Sequence, residues 1–422
     1  MTTSSHRGDA VGLGETTPAR SRHTGRRSAV ALTDDAVIAG TADGNVRAFD
    51  RETLAPLWTA DADGNENESQ GAVVGATPVP GGIAVGERGP RGEVRVHDRE
   101  SGAVRWRYRT ADDVGDLAGD SRFEQPFVAS LTGRNGRLYA AARRYERRGD
   151  DRAFSSVVYA FDRDGTVAWT YGTDASPVSL DARDDRVAVA YNRCPGAHRA
   201  GLVVLDARTG RPRARWDPAG EGRRRVGDVS LLADGAAVTS HADYRGYRLD
   251  LPDDDAGRPG TGTVRWRADL ATPETVGDET VYAYPNHVHA TDAGVVFVTG
   301  NTYPEAGRST ESLHPDAHTA VGYAPDGERA WSASVGGFAN GLGTDGDRLA
   351  VPGAQRFRTR DPATHGVGVF DVESGPRASV GTDGVATAAA LDAGALAVVE
   401  EPVVYHDDGR QRGEYRLHTR SA

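Results

Sequence analysis

The sequence contains no lysine, so all 50 of its basic residues are arginine. Average residue usage would give roughly 20 to 25 lysines in a chain of this length. Aspartate is also more frequent than glutamate, and it holds a strongly hydrated charge close to the backbone. This composition favours a salt-adapted, haloarchaeal-type protein, although the net charge of −11 is only mildly acidic for that setting. A GC-rich codon bias, which also favours arginine over lysine, is the alternative explanation.

Cysteine occurs once, at Cys194, which excludes an intramolecular disulfide and a cysteine-based zinc site. Long apolar runs are lacking too, since no segment approaches the roughly 20 residues of a membrane span. Arg26 and Arg27 precede the apolar letters SAVAL, but Asp34 and Asp35 interrupt the run. A signal sequence needs about 7 to 15 apolar residues. We therefore expect a cytoplasmic protein with no membrane span.

A repeat accounts for all six tryptophans of the chain. Each copy is a short apolar strand that ends in an acidic residue, followed by a turn and then by tryptophan. The copies end at Trp58, Trp106, Trp169, Trp216, Trp266 and Trp331. Two weaker copies without tryptophan begin at Gly366 and Gly413. Periods of about 40 to 50 residues indicate a propeller or another repeat array.

Each repeat contains four strand signals, and a short turn rich in Asp and Gly joins the first two. These turns begin at Thr33, Pro80, Gly133, Asp181, Ala233, Thr291, Gly343 and Leu391. The sequence thus predicts an all-β fold, a single eight-bladed β-propeller of four-stranded antiparallel blades over residues 29–422. Residues 1–28 are expected to be partly disordered. A segment within residues 8–29 is expected to supply the strand that closes the last blade.

The acidic residue before each turn is expected to accept hydrogen bonds from turn amides, with the tryptophan wedged between neighbouring blades. This frame resembles the repeat of the pyrroloquinoline-quinone (PQQ) type, best in HDRESG at His97 and LDARTG at Leu205. The resemblance covers about residues 29 to 418. It implies either a quinoprotein alcohol dehydrogenase or the non-catalytic, BamB-like branch, whose length of near 400 residues is closer to this chain.

The enzymatic branch implies a quinone held between a tryptophan and a vicinal disulfide, with a calcium ion beside it. A single cysteine cannot form that disulfide, and all six tryptophans belong to the repeat frame. We therefore expect no cofactor and no PQQ-dependent dehydrogenase activity. We expect His287 and His289 to point to opposite faces of one strand, which disfavours a shared metal, and His314 and His318 to be solvated loop residues.

The long connections between predicted strands fall mostly on one face of the propeller, which favours that face for partner binding. The segment ARRYERRGDDRAFS from Ala142 is expected to be one of these loops. Arginines gather there, and they suit carboxylate or phosphate, with aromatic neighbours for stacking. The alternative is that they form salt bridges with Glu146, Asp150, Asp151 and Asp361. The candidate partner-binding residues are Arg143, Arg144, Arg147, Arg148, Arg356, Arg358 and Tyr405.

Two functions remain open at this point. The first is a monomeric, non-catalytic scaffold that binds an unidentified protein partner and no specific nucleic acid. The second is an enzyme or a small-ligand binder that uses the mouth of the central channel, where Gln125, Asn286, His287 and Asn340 would converge. A closed polar pocket with perturbed acids would favour the second, whereas a channel filled by Val and Ala side chains would favour the first.

Overall fold

The protein is all-β, and groups of four or five mostly antiparallel strands make up nearly all of it; a single residue pair joins two of these groups into one eight-stranded sheet. The computed structural model describes residues 9–20, 26–61, 71–117, 119, 121–149, 151–220, 224–252, 258–307, 309–354, 356, 359–405 and 409–421. Much of the N-terminal segment that is expected to be disordered, residues 1–8 and 21–25, lies outside the described residues.

The N-terminal half of the chain forms one short strand followed by four groups of strands. The short strand is β1 (Ala10–Gly12). The first group is β2 (Ala29–Leu32), β3 (Ala36–Gly40), β4 (Val46–Asp50) and β5 (Pro56–Ala60). The second group is β6 (Ala72–Val79), β7 (Gly82–Arg88), β8 (Glu93–Asp98) and β9 (Val104–Arg109), followed by the short helix α1 (Ala111–Val114). The third group is β10 (Phe127–Arg134), β11 (Arg137–Arg148), β12 (Asp151–Phe161) and β13 (Val167–Thr173). The fourth group is β14 (Ser176–Arg183), β15 (Arg186–Arg193), β16 (Leu202–Asp206) and β17 (Pro212–Trp216).

The C-terminal half repeats the same plan. The fifth group is β18 (Val226–Leu232), β19 (Gly235–Ser240), β20 (Arg245–Asp250) and β22 (Thr263–Asp269), and the intervening β21 (Gly260–Thr261) pairs in parallel with β17. The sixth group is β23 (Glu274–Val276), β24 (Glu279–Thr291), β25 (Gly294–Pro304), β26 (Thr319–Tyr323) and β27 (Arg329–Ser334). The seventh group is β28 (Gly343–Asp345), β29 (Arg348–Gly353), β30 (Gly366–Asp371) and β31 (Gly375–Gly381), with a 3-10 turn at Pro362–Thr364. The closing group contains β32 (Val385–Asp392), β33 (Ala395–Glu401) and β36 (Arg416–Ser421), and the pair β34 (Val403–Val404) and β35 (Gln411–Arg412) lies beside it.

The first strand of the chain completes the last group. Ala10 pairs with His418 and Gly12 with Arg416, so β1 forms the outer strand beside β36. Arg27 strengthens the same seam, because its Nε atom lies 2.6 Å from a carboxylate oxygen of Glu401. The Ser28 hydroxyl donates to the other carboxylate oxygen of Glu401 at 2.6 Å. The two ends of the chain are therefore joined by backbone pairing and by an ion pair.

The hydrophobic core is a series of separate clusters, most of which lie between two consecutive groups. Ile38 of the first group packs with Ile83 of the second, for example, and Val204 of the fourth packs with Val238 of the fifth. The series returns to its start, because Val37 of the first group shares a cluster with residues of the closing group. Apolar side chains on both faces of the central strands are consequently buried.

The acid-ended turns have the structure that the sequence predicts. The Oδ1 atom of Asp98 accepts hydrogen bonds from the Ser101 amide at 3.0 Å and from its hydroxyl at 2.9 Å. The same atom of Asp206 accepts both bonds from Thr209 at 2.8 Å. Asp50 and Asp371 make the corresponding bonds with Thr53 and Ser374.

The prediction that tryptophans lie between groups is also confirmed. The Trp169 indole donates to the carbonyl of Ala207, in the turn of the next group, at 3.0 Å. Gly210 of that turn lies against the indole with φ +71°, and a Cβ there would be 2.6 Å from it. Trp58, Trp106, Trp266 and Trp331 make the equivalent contacts with the turns that follow them. Trp216 differs: it packs on Tyr247, because a long connection replaces the tight turn of the fifth group.

Candidate functional site

A cavity of about 720 Å³ lies between the groups. Its walls are the inner strands β10, β14, β18 and β24 together with residues 338–346. Three of the four predicted channel residues, Asn286, His287 and Asn340, line this cavity. Gln125 is not among the lining residues, because it lies in the turn before β10 begins. The structure therefore brings together three of the four candidates.

The carboxylates in the cavity bind backbone amides of the neighbouring group. One oxygen of Asp181 accepts from the Leu231 amide at 2.7 Å, and one oxygen of Asp228 accepts from the Val288 amide at 3.0 Å. Burial raises the pKa of Asp181, although these hydrogen bonds oppose the effect. Hydroxyls act in the same way, since Ser230 accepts from the Ala290 amide at 3.1 Å. These polar side chains satisfy the exposed edges of inner strands.

The cavity histidines are also bonded to the backbone. His287 Nε2 lies 3.0 Å from the Ala339 carbonyl, and His289 Nε2 lies 2.8 Å from the Gly346 carbonyl. The expectation that these two histidines point to opposite faces is wrong: both line the cavity, because residues two apart on a strand share a face. Among the described residues, no three His, Cys, Asp or Glu side chains converge as a metal site. Burial, with the nearby charge of Arg224, lowers the pKa of His241 to about 3, so this third cavity histidine is neutral.

The channel is thus a polar cavity and not a plug of Val and Ala side chains. The polar lining meets part of the criterion for a ligand-binding role, but the cavity is open rather than closed. The polar side chains of the cavity nevertheless bind the backbone through the bonds given above. Asp181 and Asp228 bind amides at a strand edge, and His287 and His289 bind loop carbonyls. Their positions are explained by the need to provide hydrogen-bond partners for the backbone groups of inner strands, because these strands have no neighbouring strand on the channel side.

The segment after Ala142 is a β-hairpin and not the loop that the sequence analysis expects. Strands β11 and β12 stay paired as far as Arg148 opposite Asp151. Successive side chains of a strand point to opposite sides, so Arg144, Glu146 and Arg148 lie on one side of the hairpin. Arg144 Nη2 lies 2.7 Å from Glu146, and Arg148 also contacts that carboxylate, so both form the salt bridges that were the alternative to partner binding.

The repeat and the sheet geometry agree with comparisons to known proteins. A family model described as outer membrane protein assembly factor BamB, of the PQQ-like repeat type, matches residues 19–120 and 42–241. Together the two matches cover more than half of the chain. The chain belongs to this family. No curated protein matches the chain significantly.

Solved structures show the same fold at low sequence identity. BamB from Moraxella catarrhalis is 15% identical with a TM-score of 0.52, and the match covers 96% of each chain. The quinohemoprotein alcohol dehydrogenase from Comamonas testosteroni is 11% identical with a TM-score of 0.58, and the match covers 98% of this chain and 76% of that one. The computationally designed protein Ika8 is 14% identical with a TM-score of 0.54, and the match covers 93% of this chain and 97% of that one. The protein is therefore a PQQ-like β-propeller. None of the helices in its described parts has the length and apolar character needed to cross a bilayer.

Of the remaining candidates in this PQQ-like propeller, Tyr405 is less accessible than the sequence suggests. Tyr405 is 5% exposed, and its hydroxyl lies 2.5 Å from His365 Nε2, so it does not form a surface for stacking. The carbonyl of Arg356 accepts a hydrogen bond from the Arg360 amide at 2.9 Å, and Arg358 lies outside the described residues.

Sequence reasoning missed a second set of arginines, which surrounds the mouth of the channel. We call the mouth arginines Arg26, Arg88, Arg143, Arg193 and Arg224, and only Arg143 belongs to the earlier candidates. Three of them occupy the same position in successive repeats. Arg88, Arg143 and Arg193 each pair with the first residue of the inner strand of their own group. Aligning the repeats on these strand ends would have found them.

Proposed function

We propose that the protein is a non-catalytic, eight-bladed PQQ-like propeller that binds a protein partner. In this proposal the seven numbered groups and the closing group are the blades, and β1 closes the circle. The propeller is a monomer, binds no specific nucleic acid, and works in the cytoplasm, as the sequence analysis expects. The partner binds the long-loop face, defined as the face that carries the connections between the second and third strands of each group and between consecutive groups.

The observation that carries this proposal is the shape and chemistry of one region of the long-loop face. The hairpin β11–β12 extends from it, and the connection before β10 exposes two large apolar side chains. Leu117 is 41% exposed and Phe123 is 54% exposed. Exposed apolar side chains in one connection beside a projecting element are typical of a protein-binding surface.

The opposite face offers no comparable region in the described part of the chain. Its connections between first and second strands are tight turns, such as the one between Val79 and Gly82. The other large exposed hydrophobic residues, Leu57 and Val264, lie on the outer strands β5 and β22. A rigid propeller with one irregular face is suited to present that face to a partner.

Site-specific cross-linking tests the proposal. A photo-reactive phenylalanine analogue replaces Phe123 in one variant and Val264 in a matched control, and each is irradiated in native extract at high KCl. We expect a discrete cross-linked product from position 123 that position 264 does not give. Equal products from both positions, or a product from position 264 alone, would contradict the assignment of the long-loop face.

A further inference from the structure

The strand register places two arginines on either side of one phenylalanine. Phe127, the first residue of β10, pairs with Arg143 on β11 and with Arg88 on β7. Directly paired residues project to the same side of a sheet. The guanidinium carbon of Arg88 lies 3.8 Å from the centre of the Phe127 ring, and that of Arg143 lies 5.2 Å from it. Arg26 approaches the same ring at 5.7 Å.

Two further arginines extend this cluster toward the fifth and sixth groups. Arg193 and Arg224 form an isolated antiparallel bridge through their backbones. The guanidinium carbon of Arg224 lies 4.4 Å from the centre of the Tyr284 ring on β24. Arg26 also lines the cavity, and Arg193 directly follows the cavity residue Asn192, which places this cluster at the long-loop end of the channel.

None of the five mouth arginines forms an ion pair with a described residue. Arginines elsewhere behave differently: Arg213 pairs with Asp185 and Asp206, and Arg265 pairs with Asp234 and Asp250. The contrast is marked, because acidic residues outnumber basic ones in the chain as a whole.

The cluster also leaves hydrogen-bond donors unused. Arg26 Nη2 donates to the Ala129 carbonyl at 2.6 Å, but the Nε atoms of Arg26 and Arg143 are buried without a partner. Burial lowers the pKa of Arg26 to about 10, and burial together with neighbouring arginines lowers the pKa values of Arg143 and Arg193 to about 10. Buried donors and crowded like charges are both costly, and an anion would relieve both.

We propose that the mouth arginines bind a small multivalent oxyanion, which presents phosphate or carboxylate oxygens to several guanidinium groups at once. Planar guanidinium groups bind either type of oxygen in bidentate fashion. The anion is small because the arginines are half-buried at a channel mouth rather than spread over an open surface. A large polyanion would also be repelled by the net charge of −11. This site does not depend on the proposed protein partner.

Calorimetric titration with sodium pyrophosphate and with sodium citrate tests the site and separates the two sources of oxyanion. The variant carries Arg88→Gln and Arg143→Gln together. The control carries Arg265→Gln, which removes an arginine that is already ion-paired. At matched ionic strength we expect at least one of the two anions to bind the native protein and the control. We expect at least about ten-fold weaker binding to the double variant, equivalent to the loss of a charged contact.

Thermal melting without added anion shows whether the double variant is folded. Removing two crowded charges should leave the melting temperature of the double variant equal to or above that of the native protein. Addition of the bound anion should then raise the melting temperature of the native protein and not that of the double variant. Failure of both anions to bind the native protein, binding unchanged in the double variant, or a lower melting temperature for that variant would overturn the proposal.

Discussion

Single aspartates organise the turns between the third and fourth strands. In the turn that begins at Asp98, one carboxylate oxygen accepts bonds from the amide and the hydroxyl of Ser101. These bonds favour the ionised form, and they lower the pKa of Asp98 below its usual value. Thr53 has the same effect on Asp50 through its hydroxyl and its amide. The ionised carboxylates of these turns therefore contribute to the stability of the fold.

This arrangement predicts a loss of stability in acid. A carboxyl group whose pKa is lowered by folding contributes stability above its unfolded value near 3.8, and that stability is lost as the pH falls through the folded value. The melting temperature should fall below about pH 4. The variant Asp98→Asn should lose less over the same range, because it keeps the acceptor and removes the titration. Identical pH profiles for the two proteins would show that Asp98 does not contribute.

Because the tryptophans are buried to different degrees, equivalent substitutions should lower the free energy of unfolding by different amounts. Trp169 is 8% exposed, whereas Trp106 is half-buried. Trp169→Ala should lower the free energy of unfolding by about 3 to 5 kcal/mol, and Trp106→Ala should lower it by less. Chemical denaturation of both variants measures the difference. A larger loss for Trp106 would show that burial between groups is not what stabilises the frame.

At the scale of the element, the hairpin β11–β12 shows where sequence patterns stop being informative. Its tip is rich in arginine and acid, which is typical of a loop. The structure continues the strands because the rings of Tyr145 and Phe154 pack across the hairpin in a tilted arrangement, with centres 5.5 Å apart. Cross-strand aromatic pairs stabilise such a ladder. The four-strand repeat, by contrast, was predictable, because its turns and tryptophans recur along the chain.

The hairpin leads to a prediction about local stability. Phe154→Ala removes the cross-strand ring contact, and the amides of residues 143–155 should then exchange with solvent faster. Hydrogen exchange read by mass spectrometry measures this, with Arg147→Ala on the same hairpin as the control. Unchanged exchange in the Phe154 variant would mean that backbone pairing alone holds the hairpin.

Other features of the site could not be predicted from single repeats. The mouth arginines come from different groups and from the segment before β2, so only the closed arrangement brings them together. The bonds from Asp181 and Asp228 to the next group are likewise properties of neighbouring strands. Sequence patterns identified the strands and turns, because those depend on adjacent residues, but they could not show which strand ends meet at the channel mouth.

At the scale of the whole molecule, the absence of lysine and the excess of acid predict that stability depends on salt. Unscreened aspartates repel one another, and added salt reduces that repulsion. The melting temperature should therefore be higher in about 2 M KCl than in about 0.1 M KCl. An equal or lower melting temperature at high salt would make codon bias the better explanation of the composition.

The claim that the long-loop face binds a protein partner is tested most directly by hydrogen exchange on the complex. The partner identified by cross-linking is purified, and exchange is compared between the isolated propeller and the complex. We predict slower exchange in the complex at residues 115–126 and 142–157, with no change in the tight turns of the opposite face, such as residues 79–82 and 232–235. Protection of those turns, with the long-loop face unchanged, would contradict the proposed function.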